Sequence, residues 1–237
     1  MPGAPFPATL TQVEQLSSNT LQLSFQPAVR FEFIAGQFLQ LHIDIDGTVH
    51  KRSYSIANSP ADFQATGLLQ VALSQVDGGV ASTFFQHAAP GTEVGMTGPY
   101  GALTLPEALP GQLILVGTGT GIAPYRSMIP QLATLAGEGR AVTAVMGFRY
   151  RHECIYAGEF ARVARQRICL SREPVLDDGE YAGRVQGQFS TLNLNPEKDT
   201  VYLCGNPGMI DDCVALLRDM GFSPRQIKRE KYVYSGH

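Results

Sequence analysis

Gly117, Gly119 and Gly121 fall in VGTGTGIAPYRSM, after the apolar run Leu113-Ile114-Leu115-Val116 and before apolar residues at Met128, Ile129, Leu132 and Leu135. The run has the length of a buried strand and the later residues have near-helical spacing, so the glycines mark a strand-to-helix turn. The first turn of a helix leaves backbone N–H groups unpaired and carries partial positive charge, and glycine lets an anion come close to them. With Thr118 and Thr120 adding hydroxyl donors, the chemistry on offer is phosphate binding. The pattern is G-x-G-x-G followed by Ile122, without the lysine of a P-loop, and it serves a plain tight connection equally well.

Ligands of an open α/β sheet bind beyond the carboxyl ends of its strands. Ser171-Arg172-Glu173 follows a strand expected at 167–171, and Cys204-Gly205-Asn206-Pro207 follows one expected at 200–204. A dinucleotide site places an acidic residue after its second strand to hold a ribose 2′-hydroxyl, whereas VMGFRYRHE places Arg149 and Arg151 there. A guanidinium offers phosphate a fork of N–H donors, which suits a 2′-phosphate and favours NADP over NAD; solvated surface charge is the alternative for each arginine. Nearer the N-terminus, Arg52-Ser53-Tyr54-Ser55 alternate along a strand, Arg52 and Tyr54 on one face and Ser53 and Ser55 on the other. Such a strand sets a phosphate binder beside a flat stacking surface, although an ordinary edge strand reads similarly. Gly78-Gly79-Val80-Ala81-Ser82-Thr83 leads into a helical segment through Phe84, Phe85 and Ala88, a second helix start with N–H groups and hydroxyls for an anion. Two such sites imply two nucleotide-like ligands.

The elements that must position these residues change character near residue 106. Before it, β-rich segments at Leu21 to Phe25, Phe38 to Ile45, Ser53 to Ala57 and Leu68 to Ser74 alternate with glycine, proline and asparagine turns. After LPEALPGQ, strands at 113–117, 141–147, 167–171 and 200–204 alternate with helices at 123–136 and 207–220. The expected architecture is an N-terminal antiparallel β-barrel in residues 1–106 and a C-terminal parallel-sheet α/β nucleotide-binding domain in 107–237. A chain of 237 residues with 44% hydrophobic content has the material for two modest domains. Its net charge of −3 and lack of a long basic run exclude nucleic acid as the main partner. MPGAPFPATLTQVEQL has neither a basic n-region nor a long apolar h-region, and no apolar stretch approaches the ~18 residues of a membrane span, so the expected location is cytoplasmic. Cys154, Cys169, Cys204 and Cys213 lack C-x-x-C spacing, so no metal site is expected and each reads as a buried thiol.

R-S-Y-S, G-G-V-A-S-T, G-P-Y-G at 98–101, G-T-G-T-G-I-A-P-Y-R-S-M, S-R-E, G-R at 183–184, C-G-N-P-G-M and E-K-Y at 230–232 occur in this order. Over essentially its whole length the chain thereby resembles the ferredoxin–NADP reductase superfamily, of the bacterial type. The resemblance implies an FAD-binding barrel joined to an NADP-binding α/β domain, with hydride passing between nicotinamide and flavin where the two meet. It implies Arg52 on the flavin pyrophosphate, Tyr54 against the isoalloxazine and Ser55 near its N5. Gly79 and Ser82 match a second pyrophosphate contact, with Gly78 and Thr83 beside them. Thr118, Gly119 and Gly121 match the NADP pyrophosphate turn, flanked by Gly117 and Thr120, while Gly205 and Asn206 line the neighbouring loop. Ser171 and Arg172 match the 2′-phosphate site. Cys204 and Glu230, with Ser55, match the lining of the hydride-transfer site, where the cofactor carries the electrons and no protein group forms a covalent intermediate.

Two features depart from the family pattern. Tyr232 aligns with the terminal aromatic that covers the flavin in plant-type members, yet Val233-Tyr234-Ser235-Gly236-His237 follow it, leaving open whether Tyr232, Tyr234 or neither covers the ring. No residue is assigned to the adenine half of FAD, so FMN stays an alternative; the 78–83 segment, which has little use for FMN, favours FAD. The implied cofactors are FAD and NADP(H), and the implied one-electron partners are ferredoxin or flavodoxin, whose acidic faces would meet Lys51, Arg52, Lys228, Arg229 and Lys231. The rival readings are the NAD(P)H-dependent reductase component of a multicomponent oxygenase, a free-flavin reductase, and a nucleotide-binding module without chemistry. A monomer is the default.

Overall fold

The structure, a computed structural model, describes residues 4–232. The chain divides into two compact units, one running to Leu105 and including Ala123–Met128, the other holding Pro106–Ile122 and the residues from Ile129 onward.

The first unit carries β1 (Phe6–Ser17), β2 (Thr20–Pro27), β3 (Phe38–Ile45), β4 (Thr48–Ser55), α1 (Pro60–Thr66), β5 (Leu69–Ser74), α2 (Val80–His87) and β6 (Glu93–Tyr100). Its strands form one antiparallel sheet in the order β4-β3-β6-β1-β2-β5. The edge strands meet where Ile56 bridges Val71 and the Ala57 N–H donates to the Gln70 carbonyl at 2.7 Å, which closes the sheet into the expected barrel. β3 shows why these segments form strands: in FLQLHIDI, Leu39, Leu41 and Ile43 are fully buried while the residues between them face outward. Phe85 of α2 meets Phe25 edge-on at 5.9 Å and Phe63 of α1 joins the same core.

The expected strand at Ser53–Ala57 begins five residues earlier, at Thr48. Asp46 and Gly47 both adopt positive φ (51° and 80°), giving a tight hairpin turn that pairs Ile45 directly with Thr48. Helix α1 starts from a capping box in which Ser59 Oγ accepts from the Asp62 N–H at 3.1 Å and the Asp62 carboxylate accepts from the Ser59 N–H at 3.2 Å. We expect Ser59→Ala to lower stability by about 1 kcal/mol, read from the shift in a urea unfolding midpoint at unchanged slope.

Between the two stretches of the second unit lies α3 (Ala123–Ser127), which packs with the first. The single helix expected at 123–136 is thus two, α3 and α4 (Ile129–Gly137). Pro130 has no N–H to continue the ladder, and the Met128 N–H turns back to the Tyr125 carbonyl at 3.1 Å instead. The break releases α3 to the barrel, where Arg126 Nη1 donates to Gln70 Oε1 at 2.9 Å and to the Ala57 carbonyl at 3.3 Å.

The second unit continues the chain order with β7 (Leu113–Thr118), α4, β8 (Val142–Phe148), α5 (Ala157–Phe160), β9 (Arg165–Leu170), β10 (Glu180–Ala182), β11 (Thr200–Gly205), α6 (Pro207–Asp219) and β12 (Ile227–Lys231). All its strands are parallel, in the order β10-β9-β8-β7-β11-β12. β7, β8 and β11 are buried almost end to end, as strands covered on both faces require. Among the described residues no helix is long and apolar enough to cross a membrane, and no cluster of three or more His, Cys, Asp or Glu side chains is placed to hold a metal ion.

Candidate functional site

In the parallel sheet the chain winds from β7 outward through β8, β9 and β10, then returns to β11 and β12 on the other side of β7. The direction of winding reverses between β7 and β11, and crevices at such reversals are where open α/β sheets bind ligands. The loops leaving these two strands are the glycine turn and Cys204-Gly205-Asn206, and they are stitched together. Thr118 Oγ1 accepts from the Asn206 N–H at 3.1 Å. Gly121 lies so close to the second loop that a Cβ would overlap the Cys204 carbonyl oxygen and sit 2.7 Å from Gly205 Cα. Gly205, at φ 121°, faces Thr118 Oγ1 in the same way. Asn206 then caps α6 by accepting from the Met209 N–H at 3.1 Å, with Pro207 at the first helical position.

Cys204 and Glu230 are register partners at the carboxyl ends of β11 and β12, so both side chains emerge on one face of the sheet. The thiol is fully buried. Burial first, and the neighbouring Glu230 carboxylate second, push its pKa well above the usual thiol value. Cys204 therefore stays a neutral S–H group and is no nucleophile. Native protein is expected to keep its activity through iodoacetamide treatment that modifies Cys204 only after unfolding, as peptide mapping would report. Tyr232 follows β12, its N–H donating to the Gly205 carbonyl at 2.9 Å and its hydroxyl to the Thr120 carbonyl at 3.4 Å, so it spans both stitched loops. Tyr234, the other candidate for covering the flavin, lies outside the described residues.

The residues expected to meet a 2′-phosphate separate into different environments. Arg149 engages Glu153 through Nε at 3.1 Å and Nη2 at 2.5 Å, a pair that also explains why Glu153 can be buried, and about half of the arginine side chain remains exposed. Arg151 turns into the loop between β9 and β10, where Glu180 takes its guanidinium bidentately at 2.6 and 2.7 Å. Arg172 is exposed, and its guanidinium makes no hydrogen bond or ion pair among the described residues; its N–H donates to the Arg149 carbonyl at 2.9 Å. Ser171 beside it is exposed as well, tied to the Phe148 carbonyl through its N–H. Arg184, whose G-R context stood in the sequence without a role, is brought to the same edge. β10 pairs Ala182 with Leu170 of β9, and the Gly183 N–H donates to the Leu170 carbonyl at 3.0 Å, so the next residues of both strands leave the sheet side by side. Arg184 is exposed and likewise unpaired among the described residues.

In the first unit β4 sets Arg52 and Tyr54 opposite Leu41 and Leu39 of β3, on the face that packs toward the core, with Ser53 and Ser55 on the other. Burial raises the Tyr54 phenol above its ordinary pKa, so the ring presents a neutral surface. Ser55 is buried and Ser53 exposed. Arg52 Nη1 donates to the Lys51 carbonyl at 2.8 Å. No side chain caps α2, whose N-cap is Gly79, and the space around Gly78 is open, which suits an anion. The Ser82 hydroxyl, however, accepts from the Val76 N–H at 2.9 Å and reaches the Ser74 carbonyl, so it braces the loop that precedes the helix. Thr83 starts the helical ladder by donating its N–H to Gly79.

Profiles of known families match both parts of the chain: the oxidoreductase FAD-binding domain over residues 7–105 and the oxidoreductase NAD-binding domain over residues 115–215. Ferredoxin–NADP reductase B of Sorangium cellulosum is 30% identical over 96% of this chain and 98% of its own length. The chain belongs to the ferredoxin–NADP reductase family. It is a flavoprotein oxidoreductase, with one domain for FAD and one for a nicotinamide dinucleotide. Within the family, the reductase subunit of an aromatic O-demethylase from an Amycolatopsis species is 31% identical over 95% of this chain and 68% of its own length. The fold is that of the Neisseria gonorrhoeae ferredoxin–NADP reductase solved with FAD and NADP, at a TM-score of 0.85 and 22% identity over 98% of this chain and all of that one. For the cofactors of the family, the uncapped start of α2 and the face of β4 fit a flavin dinucleotide, and the stitched glycine loops fit the pyrophosphate of a second dinucleotide.

Proposed function

We propose that the protein is an NADPH-dependent reductase that delivers electrons singly to a ferredoxin or a flavodoxin, with residues 1–106 serving the flavin and 107–237 the nicotinamide nucleotide. The observation that carries the choice of NADPH is the exposed Arg172 beside Ser171, unpaired among the described residues, with exposed Arg184 two residues past the end of β10, the strand paired with β9. When bound, FAD would supply the hydride exchange with nicotinamide and the single-electron transfer. The chain's own groups bind and orient. Arg52 and the first N–H groups after Gly78 and Gly79 hold the flavin pyrophosphate, Tyr54 stacks on the ring system, and Ser53 and Ser55 flank it. Gly117, Thr118, Gly119, Thr120 and Gly121, with Gly205 and Asn206, cradle the second pyrophosphate, and Arg149 flanks the 2′-phosphate site with its exposed edge. Cys204 as a neutral thiol and Glu230 as its register partner line the nicotinamide end without changing covalently, and Tyr232 closes that end. Lys51, Lys228 and Arg229 make no ion pair among the described residues and supply charge for an acidic partner, whereas Lys231 is engaged by Asp211 at 2.6 Å.

An anaerobic titration of the flavin absorbance tests the reading. NADPH should bleach the visible band at concentrations at least tenfold below those NADH requires. Equal bleaching by both would remove the 2′-phosphate assignment. The similarity to the ferredoxin–NAD(P)+ reductase component of a naphthalene 1,2-dioxygenase system supports a second reading, in which the acceptor is the ferredoxin of an oxygenase. Comparing reduction rates of an oxygenase ferredoxin with those of a ferredoxin and a flavodoxin from outside oxygenase systems separates the two readings.

A further inference from the structure

The connection from β9 to β10 and the first residue of β10 carry four carboxylates, Glu173, Asp177, Asp178 and Glu180, within a few residues of Arg172 and Arg184. Left to themselves, acidic side chains so close to exposed guanidinium groups would pair with them, and their charge would repel a phosphate. Neither pairing occurs among the described residues. Three of them, Glu173, Asp177 and Glu180, turn instead toward Arg151, which enters from the loop after β8. Its Nε donates to Glu180 Oε1 at 2.7 Å and lies 3.2 Å from Asp177 Oδ2, its Nη2 donates to Glu180 Oε2 at 2.6 Å and to the Val175 carbonyl at 3.0 Å, and its N–H donates to Glu173 Oε2 at 2.8 Å. The Asp177 N–H adds a bond to Glu180 Oε2 at 2.9 Å.

We infer that Arg151 is a specificity-determining positioning residue: by holding Glu180 and Asp177 to its guanidinium, it keeps Arg172 and Arg184 available for the 2′-phosphate of NADPH. The inference rests on the proposed 2′-phosphate site and deepens it. Arg151 does not touch the nucleotide. It acts by withdrawing competing anions and by fixing the loop whose two ends present the phosphate-binding arginines. The effect must be confined to the nucleotide that carries the extra phosphate, because NADH presents nothing for Arg172 and Arg184 to hold. Glu180 is the main competitor, since both of its oxygens face the clasp and the bond from Arg151 keeps its carboxyl below the ordinary pKa range. That bond favours its charged form.

The test uses the flavin-loaded protein with Arg151→Met, Arg151→Met/Glu180→Gln and Arg172→Ala, assayed with NADPH and NADH and a small-molecule acceptor. Arg151→Met should raise KM for NADPH about tenfold, leave kcat unchanged and leave KM for NADH within a factor of two. Adding Glu180→Gln, which removes the stranded charge as well, should restore KM for NADPH to within threefold of the parent enzyme. An arginine that merely braces the fold would raise both KM values together or lower flavin content, and the second substitution would not rescue it; either outcome overturns the inference. So does an unchanged KM for NADPH in Arg151→Met. If Arg172→Ala leaves the preference between nucleotides intact, the proposed 2′-phosphate site itself fails, a result separate from any behaviour of Arg151.

Discussion

The Arg172→Ala/Arg184→Ala protein is expected to lose on the order of 100-fold or more in kcat/KM for NADPH while its kcat/KM for NADH stays within a factor of about three. Both side chains are exposed and, among the described residues, unpaired, and each follows the carboxyl end of one of the paired strands β9 and β10. A charge-assisted hydrogen bond to phosphate contributes roughly 1.5–3 kcal/mol, and 1.4 kcal/mol is a factor of ten. Two such contacts to one phosphate are not additive, which holds the expected total to about 3–4 kcal/mol. The loss should fall on KM, because the contacts are made equally in the ground and transition states. Steady-state kinetics with ferricyanide as acceptor reads both nucleotides on one scale. A double variant that still prefers NADPH by the parental ratio would refute the site.

Gly121→Ala should reduce turnover about 100-fold with either nucleotide and leave the flavin content of the purified protein unchanged. The added Cβ would overlap the Cys204 carbonyl oxygen and lie 2.7 Å from both the Cys204 carbonyl carbon and Gly205 Cα. All three are backbone atoms, so no side chain can swing aside, and the loops leaving β7 and β11 must part. Thr118 would then lose the Asn206 N–H, and the face shared by Cys204 and Glu230 would tilt against the glycine turn. A displacement of about 1 Å at a reacting centre is enough for a loss of this size. Flavin retention follows because the FAD-binding domain lies in the other unit. Single-turnover reduction by excess NADPH measures the effect directly, and parental rates in the alanine protein would show that the loops tolerate separation.

How far the sequence reveals this arrangement depends on whether a residue's neighbours in the chain are also its neighbours in space. β3 is legible at both ends because its alternation is strict and the hairpin behind it is closed by Asp46-Gly47. β12 is not legible from its pattern: IKREK offers one buried apolar residue, Ile227, and its strand character comes from pairing with β11. Glu230 is therefore reached through the family resemblance and not through periodicity. β10 has three residues, too few for any period to register. The pairing of Arg149 with Glu153 is visible in RYRHE as an i, i+4 couple, but Glu180 stands 29 residues beyond Arg151, and only the fold joins them. Ser82 reads as an anion contact from the residues around it, and only the fold adds that its hydroxyl accepts from the Val76 N–H.

The two borders of the parallel sheet, β10 and β12, also bear on how the protein behaves when crowded. An open strand border exposes unpaired N–H and C=O groups on which another chain can build, the usual start of fibrillar aggregation. β10 is too short to act as such a template, and β12 lines its border with Lys228, Arg229, Glu230 and Lys231, which make strand addition electrostatically and sterically unfavourable. The brevity of β10 and the charges of β12 thus guard the sheet against self-association at high concentration.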